Sequence, residues 1–569
     1  QSCTGAISTE VGLLDDLSAS LTELHAVARG LDAAEQVETA EDRLFYLARA
    51  IDDLGRCQRQ YSPQLTLPDR LIYQAIIETW TTCVTAALQA GQGQAQLELS
   101  QVARQVVAAE QVTLAVEVTN LGRGPASEIK IELLPGQDYE VLAGQATVDF
   151  LPVHHSTRLH FLIRPSARDL LQFQFQLRYA DREGAGKVQT ATGALRLLAV
   201  PGQFETIPNP YAPGLPLRQR SPVFFGRDDL FSFIQEALAG TTTGRVLALI
   251  GQRRVGKTSL AQQLPARLGS GYVTVYLDGQ SLAIDPGMAS FFYDVALEIA
   301  QTLEMPPPPL EAFQTRPGAT FARDFLPRVL KALGDRRLLL LFDEFEELEM
   351  RVTSGYLEAS IFSYLRHLMQ HVDRLAFIFV GTHTLETLNP AYWSAFFNVA
   401  LYRRVSFLEE NAARALITAP VAPQLVYDDL ALDKMLRATG GYPYFLQLLC
   451  HILVSEANRA ERNYVVLSHV NQALDQVLEL GQAHFFFLWD QLTSPEQVLL
   501  REAACLITEG TPVTLDTLSH RVELAKAEVP NLLARLVQRE ILRSGRNSMP
   551  NYEFIFDLLR LWMVHHSQS

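Results

Sequence analysis

At 569 residues the chain has room for about four domains, and an apolar fraction of 48% can fill several separate cores. Its 63 acidic and 48 basic residues leave a formal charge of −15, which excludes a bulk electrostatic drive towards nucleic acid or an anionic membrane and leaves open only a local basic patch. The five cysteines (Cys3, Cys57, Cys83, Cys450 and Cys505) are odd in number and lack C-x-x-C spacing, which argues against a disulfide framework or a zinc site. No apolar run approaches the ~18 residues of a membrane helix and no signal peptide is legible, so a soluble, cytoplasmic chain is expected.

Because the chain starts at Gln1 rather than Met, it is expected to be a piece of a longer polypeptide or a processed product. Residues 1–94 read as a helical region: Leu14, Leu17, Leu21, Leu24, Ala28 and Leu31 recur at spacings of three and four, which makes one apolar helix face. Leu44 to Ala50 and Leu71 to Leu88 carry similar patterns, and both a small bundle and a dimerising helix fit. After the Gly91-Gln92-Gly93-Gln94 break the period changes to two. Val112, Leu114, Val116 and Val118 alternate with other residues, as do Leu171, Phe173, Phe175, Leu177 and Tyr179, so residues 95–200 read as an antiparallel β-sandwich. Its Asn120-Leu121-Gly122 turn resembles that of immunoglobulin-like (Ig-like) modules. His154 and His155 read as a surface pair on a strand, whose successive side chains point to opposite faces. Residues 201–221, with Pro208, Pro210, Pro213 and Pro216, read as an extended Pro-rich linker.

The next stretch holds the chemistry. The apolar run Val246-Leu247-Ala248-Leu249-Ile250 feeds Gly251-Gln252-Arg253-Arg254-Val255-Gly256-Lys257-Thr258, and helical Ser259-Leu260-Ala261 follows. A strand, a glycine-hinged turn and a helix start direct backbone N–H groups and a helix N-terminus at one point, which is a phosphate site. Lys257 would reach the β- and γ-phosphates, Thr258 would ligate Mg²⁺, and Gly251, Arg254, Val255, Gly256 and Ser259 complete the cradle. Further on, Leu338-Leu339-Leu340-Leu341-Phe342 ends in Asp343-Glu344, a Walker B pattern in which acids cap a strand buried on both faces. Asp343 would hold Mg²⁺ through its water shell, and Glu344 would polarise the attacking water; Glu346, Glu347 and Glu349 show that acids are common here, so a buried strand followed by exposed acids is the alternative. The strand Leu375-Ala376-Phe377-Ile378-Phe379-Val380-Gly381 ends at Thr382, with His383 and Thr384 as rival polar groups. A strand Val405-Ser406-Phe407-Leu408 is expected after Arg403 and Arg404.

From Val223-Phe224-Phe225-Gly226-Arg227 onward the chain resembles the STAND group of signal-transducing P-loop ATPases and their AAA+ relatives. The resemblance implies that Gly226 and Arg227 lie against adenine, that Thr382 senses the γ-phosphate, and that Arg403 or Arg404 acts as an arginine finger, a solvated pair being the alternative. Residues 222–421 would form the ATPase core and residues 422–483 a helical lid, where Gly441-Tyr442-Pro443 resembles the GxP signature whose proline packs on adenine. Residues 484–569 read as a winged helix, in which Arg535, Arg539, Arg543 and Arg546 could touch a nucleic-acid backbone although the third helix opens Ala527-Glu528-Val529-Pro530, a poor start for reading bases. The expected fold is therefore multidomain α and β, ordered as helical bundle, Ig-like sandwich, parallel-sheet P-loop core, lid and winged helix. The resemblance implies an ATP/ADP- and Mg²⁺-dependent switch, closed with ADP and opening to self-associate with ATP, reset by slow hydrolysis, with protein partners docking on the N-terminal helices or sandwich. A DNA-associated ATPase resembling archaeal replication initiators and a nucleotide-stabilised scaffold without turnover are the alternatives. ATP over GTP follows from the resemblance alone.

Overall fold

In the computed structural model the chain forms two compact units, Gln1–Val200 with Asp428–Leu430, and Pro201–Tyr427 with Ala431–Ser569. The structure describes residues 19–32, 34, 40–65, 67, 69–90, 94–108, 110–166, 169–181, 184–199, 204–239, 245–282, 285–382, 400–509, 511–522, 524, 527–545 and 551–567. Leu14, Leu17, the 91–93 break, His383, Thr384 and Arg546 lie outside them.

In the first unit, helices over 19–32, Ala40–Gln60 and Asp69–Ala90 bury Leu24 and Val27, Leu47 and Leu54, and Tyr73, Ile77, Val84 and Leu88 in one cluster. The spacings of three, four and seven keep each set on one helix face. The sandwich follows as β1 (Leu97–Gln101), β2 (Gln105–Val107), β3 (Val112–Asn120), β4 (Ala126–Leu133), β5 (Tyr139–Ala143), β6 (Gln145–Leu151), β7 (Ser156–Pro165), β8 (Leu170–Asp181) and β9 (Gly184–Leu198). One sheet has the order β1-β3-β7-β5 and the other β2-β9-β8-β4-β6. Their pairings are antiparallel except β2 with β9. The alternating residues of β8 are buried, and Phe175 meets Phe161 of β7 across the sandwich at 4.8 Å between ring centroids. Asn120 is buried at the turn after β3, where its Oδ1 accepts from Gly122 N at 3.0 Å and its Nδ2 donates to Gly124 O at 2.9 Å. His154 and His155 correct the sequence reading: they lie in the turn between β6 and β7, not on a strand. Pro152 cannot donate to a ladder, and His154 takes φ 59 to turn the chain back.

The second unit is built on a parallel sheet of β10 (Arg245–Ile250), β11 (Tyr272–Asp278), β12 (Arg337–Asp343), β13 (Leu375–Gly381) and β14 (Leu401–Arg404), in the order β11-β12-β13-β10-β14. The uninterrupted apolar runs serve two cores at once. Leu247, Leu249, Leu339, Leu341, Ile378 and Val380 pack into one, and Val246, Ala248, Leu338, Leu340, Phe377 and Phe379 into the other. The first core continues into helices Asp429–Thr439, Pro443–Arg459 and Leu467–Leu480, and into a C-terminal region. That region has three helices (Ser494–Thr508, Leu515–Arg521 and Val529–Gln538), the antiparallel hairpin Leu542–Ser544 with Tyr552–Phe554, and helix Asp557–Ser567. None of the helices among the described residues is long and apolar enough to cross a membrane.

The last strand differs from expectation. Arg403 and Arg404 belong to β14 itself, and residues 405–408 run beyond it, because β10 gives way to the glycine turn after Ile250; Val405 N still donates to Ile250 O at 2.8 Å, and Leu408 N donates to Gly441 O at 2.9 Å. Residues 204–221 contain neither helix nor strand, as the prolines require, yet they are firmly packed. Leu217 N donates to Ser259 Oγ and Arg220 N to Gln263 Oε1, both at 3.0 Å, while Asn458 exchanges hydrogen bonds with both backbone groups of Ile207 at 2.8 Å. Tyr211 is buried, and its hydroxyl serves the carbonyls of Leu416 and Ile417 at 3.0 and 2.9 Å, in the last turn of helix Glu410–Thr418, where helix geometry leaves carbonyls without partners. Tyr211→Phe should therefore destabilise the second unit by about 1–3 kcal/mol, read as a lower urea midpoint with an unchanged m-value.

Candidate nucleotide site

A pocket of about 280 Å³ opens where β10, β12 and β13 end, the usual place for a ligand in an open parallel sheet. Residues Arg253 to Ser259 line it from the P-loop side, Asp343, Glu344 and Thr382 from the neighbouring strand ends, and Arg227 and Pro443 from flanking segments. Gly226, Gly251, Arg403 and Arg404 do not line it.

Two glycines set the loop. Gly256 caps helix Lys257–Leu268 at φ 93, ψ 24, a left-handed conformation that a side chain resists, although nothing lies near its absent Cβ. At Gly251 the reason is space, since a Cβ would sit 2.0 Å from the carbonyl oxygen of Val405. Lys257, at the helix start, is 7% exposed and donates from Nζ to the carbonyls of Gly251 at 3.0 Å and Gln252 at 2.8 Å. Burial pushes its ammonium down to about 8, against the pull of Glu346, Asp343 and Glu344.

The strand ends supply the acids. Asp343 is buried and fixed on both oxygens, Oδ2 accepting from Tyr276 Oη at 2.7 Å and Oδ1 from Glu344 N at 3.0 Å. Its carboxylate and the Thr258 hydroxyl, both lining the pocket, are the hard oxygen donors that Mg²⁺ takes. Burial, then Asp343 and Glu346, raise the Glu344 carboxyl above the usual range, making it a better proton acceptor once ionised.

Glu346 is an acid to which the sequence reading assigned no role. It is buried, and its Oε1 accepts from both Thr382 N at 2.9 Å and Thr382 Oγ1 at 2.5 Å. The Thr382 hydroxyl proton is thus held by a carboxylate, and that hydroxyl presents lone pairs to its other neighbours. Only a turn away from Glu346 would let it donate to a phosphate oxygen. No pattern in the sequence separates Glu346 from the half-buried acids beside it.

The flanking residues are held as part of the same scaffold. Arg227 donates to Val255 O at 3.0 Å and Phe407 O at 3.3 Å, and burial lowers it to about 10. Gly226 approaches Ala412 of helix Glu410–Thr418 rather than the pocket. Arg403 lies 3.6 Å from Asp229 and above the Phe233 ring. Arg404 donates to Gln538 O at 2.6 Å.

Two further segments grip the P-loop through contacts that no local sequence pattern shows. Tyr442, between the glycine and proline of the lid signature, donates to Arg253 O at 2.5 Å and contacts His484 Nε2 at 2.8 Å. Because the single hydroxyl proton goes to Arg253, His484 donates from Nε2. The Arg254 guanidinium stacks 4.2 Å from the centroid of Tyr444. The second segment is the end of helix Val529–Gln538: Gln252 Nε2 donates to the carbonyls of Arg539 and Glu540, and Ser406 Oγ to the Glu540 carboxylate. Behind that tip, Arg535 and Arg539 lie 3.2 and 3.7 Å from the fully buried carboxylate of Glu496.

Burial, followed by Arg254 and Arg253, pushes the His484 imidazole down to about 3, and burial with Arg462 pushes His469 down to about 4. Below the ordinary value of 6.5 the unfolded chain takes up protons at both sites that the folded chain refuses, so stability falls as pH drops from 6.5 towards these values. His484→Gln, which keeps a donor for Tyr442, should flatten that slope by up to about 1.4 kcal/mol per pH unit, measured by urea unfolding between about pH 5 and 6.5.

Residues 241–388 match the family model described as AAA domain. Among solved structures the chain is similar to the Thermotoga maritima RuvB Holliday junction branch migration motor, at 16% identity over 57% of this chain and 91% of that one, with a TM-score of 0.31. A point variant of the same Thermotoga maritima protein aligns at 15% identity over 58% and 94% of the two chains, also with a TM-score of 0.31. The search of curated proteins gave no match. Likenesses this distant leave the activity to be argued from this chain's own residues, whereas the family match takes in Arg253 to Ser259, Asp343, Glu344 and Thr382 of the pocket, and residues 241–388 are an AAA-type P-loop NTPase domain.

Proposed function

We propose that the chain is an ATP-dependent switch of the STAND type, in which the nucleotide held by the P-loop controls whether the lid and the C-terminal region stay closed over it. The observation that carries this reading is the tip of helix Val529–Gln538, hydrogen-bonded to Gln252 of the P-loop, to Arg404 at the end of β14 and to Ser406 just beyond it. A phosphate cradle whose own backbone loop is tied to a distant domain is a place where ligand binding and domain release compete. Lys257, Thr258 and the loop N–H groups would take the phosphates, Thr258 and Asp343 the Mg²⁺, and Pro443 and Arg227 the base side. When bound, Mg²⁺ would neutralise phosphate charge. Glu344 would hold the proton of the attacking water, with Thr382 turned by Glu346 to accept from that water. In the open form the chain would self-associate, and the first unit would carry partner contacts.

Arg535 and Arg539 favour this reading over a DNA-associated ATPase, since both are drawn towards a buried carboxylate of their own domain. Complete conversion between closed and open forms, from 1:99 to 99:1, needs about 5.5 kcal/mol of differential binding, so weakening the tip should lower the nucleotide requirement. By light scattering, a defined oligomer is expected with Mg²⁺ and a non-hydrolysable ATP analogue, not with ADP, and not in Lys257→Ala. The double change Arg404→Ala with Ser406→Ala should assemble at lower analogue concentration. A monomer in every state, with duplex DNA binding that weakens steeply with salt, would transfer support to the DNA-associated reading. Glu344→Gln should slow ATP hydrolysis by at least about a hundredfold while keeping binding; unchanged turnover in that variant would favour a nucleotide-stabilised scaffold.

A further inference from the structure

The pocket wall formed by residues 214–217, 223–225 and the helices Glu410–Thr418 and Pro443–Arg459 is aliphatic or aromatic but for a single carboxamide, Gln447. Gln447 stands four residues after Pro443, one turn along the same helix face, so whatever packs on the proline ring lies within its reach. It is 8% exposed, and its Oε1 is sealed from solvent and meets no donor among the described residues. A buried amide oxygen without a donor is costly; Gln252 Oε1 of the P-loop is in the same condition, but Gln252 does not line the pocket, whereas Gln447 does. Beside a ligand pocket, such an atom points to a ligand that donates.

A carboxamide offers an acceptor next to a donor, and its terminal torsion is broad and two-fold, so the oxygen can swing to a ligand without disturbing the helix. Adenine presents the complementary pair, the N6 amino donor beside a ring-nitrogen acceptor. Guanine presents two acceptors, N7 and O6, on the corresponding edge. We propose that Gln447 reads the base, selecting a 6-amino purine over a 6-oxo purine. This role rests on the nucleotide reading above and names the chemistry by which that site would prefer adenine nucleotides.

The test is competition against a ribose-labelled fluorescent ADP on the full chain, using ADP and IDP, whose bases differ in the 6-substituent and the N1 proton. ADP should bind about tenfold or more tighter than IDP, the range expected for a good bidentate base contact. Gln447→Leu and Gln447→Met should each bring that ratio close to one, by weakening ADP with little change in IDP, while the unfolding midpoint stays near that of the parent. Equal affinity for ADP and IDP in the parent chain, or a preference that survives both substitutions, would overturn the assignment and leave the P-loop reading intact. Failure of the parent to bind either nucleotide, or binding indifferent to Lys257→Ala, would instead sink the nucleotide reading and this inference with it.

Discussion

The ammonium of Lys257 is the constraint around which the second unit is arranged. A cation 7% exposed needs compensation, and it comes from the carbonyls of Gly251 and Gln252 and from the acids Asp343, Glu344 and Glu346. Those acids can be near because β10 and β12 are each bound to β13, which brings their C-terminal ends to one edge of the sheet. The apolar runs that build the strands and the charges at their ends are therefore one design: packing on both faces makes the sheet rigid, and rigidity lets like-charged carboxylates stay together. Burial first, and then that crowding, raise the Glu344 carboxyl, and a raised carboxyl suits a proton acceptor.

Much of this was legible in the sequence because it rests on periodicity and on backbone rules. Runs such as Leu338-Leu339-Leu340-Leu341-Phe342 admit few structures other than a strand covered on both faces, and Gly256 before Lys257 marks a left-handed helix cap that few other residues tolerate. The sandwich alternation in β8 was equally direct. What escaped depends on partners distant in sequence. Glu346 is a buried ligand of Thr382 only because β13 runs beside β12, and its neighbours Glu347 and Glu349 look the same on paper. The end of β14 was misread because strand length there is set by where β10 stops, not by the residues Val405 to Leu408 themselves. Residues 201–221 looked like a bare spacer, since proline content forecasts an extended backbone but says nothing of the hydrogen bonds that Leu217, Arg220 and Tyr211 make.

Those extended residues alter how helix Pro443–Arg459 and the P-loop relate. Asn209 donates to His451 O, Ile207 exchanges bonds with Asn458 of that helix, and Leu217 and Arg220 bond to helix Lys257–Leu268. A proline-stiffened segment tied at one end to helix Pro443–Arg459 and at the other to the helix that follows the P-loop is a tether of fixed length. Movement of helix Pro443–Arg459 away from the P-loop must either break those bonds or carry the segment along, and Gly214 to Leu217 at the pocket wall would move with it. The pocket wall and the position of that helix are then coupled through covalent connectivity as well as through packing.

The two grips on the P-loop differ in kind, and the difference bears on which would release first. Tyr442 is fully buried, ringed by Phe407, Phe445, Phe556 and His484, so its bond to Arg253 is protected by an aromatic cluster that must open with it. The tip at Gln538 to Glu540 contributes polar bonds at a partly exposed rim, where water can replace each lost partner at small net cost. Rim bonds to main-chain carbonyls are weak individually and specific in geometry, whereas the bond of Tyr442 cannot open without its aromatic cluster. In the proposed switch the tip would therefore release first, and helix Pro443–Arg459, held by the aromatic grip, would follow.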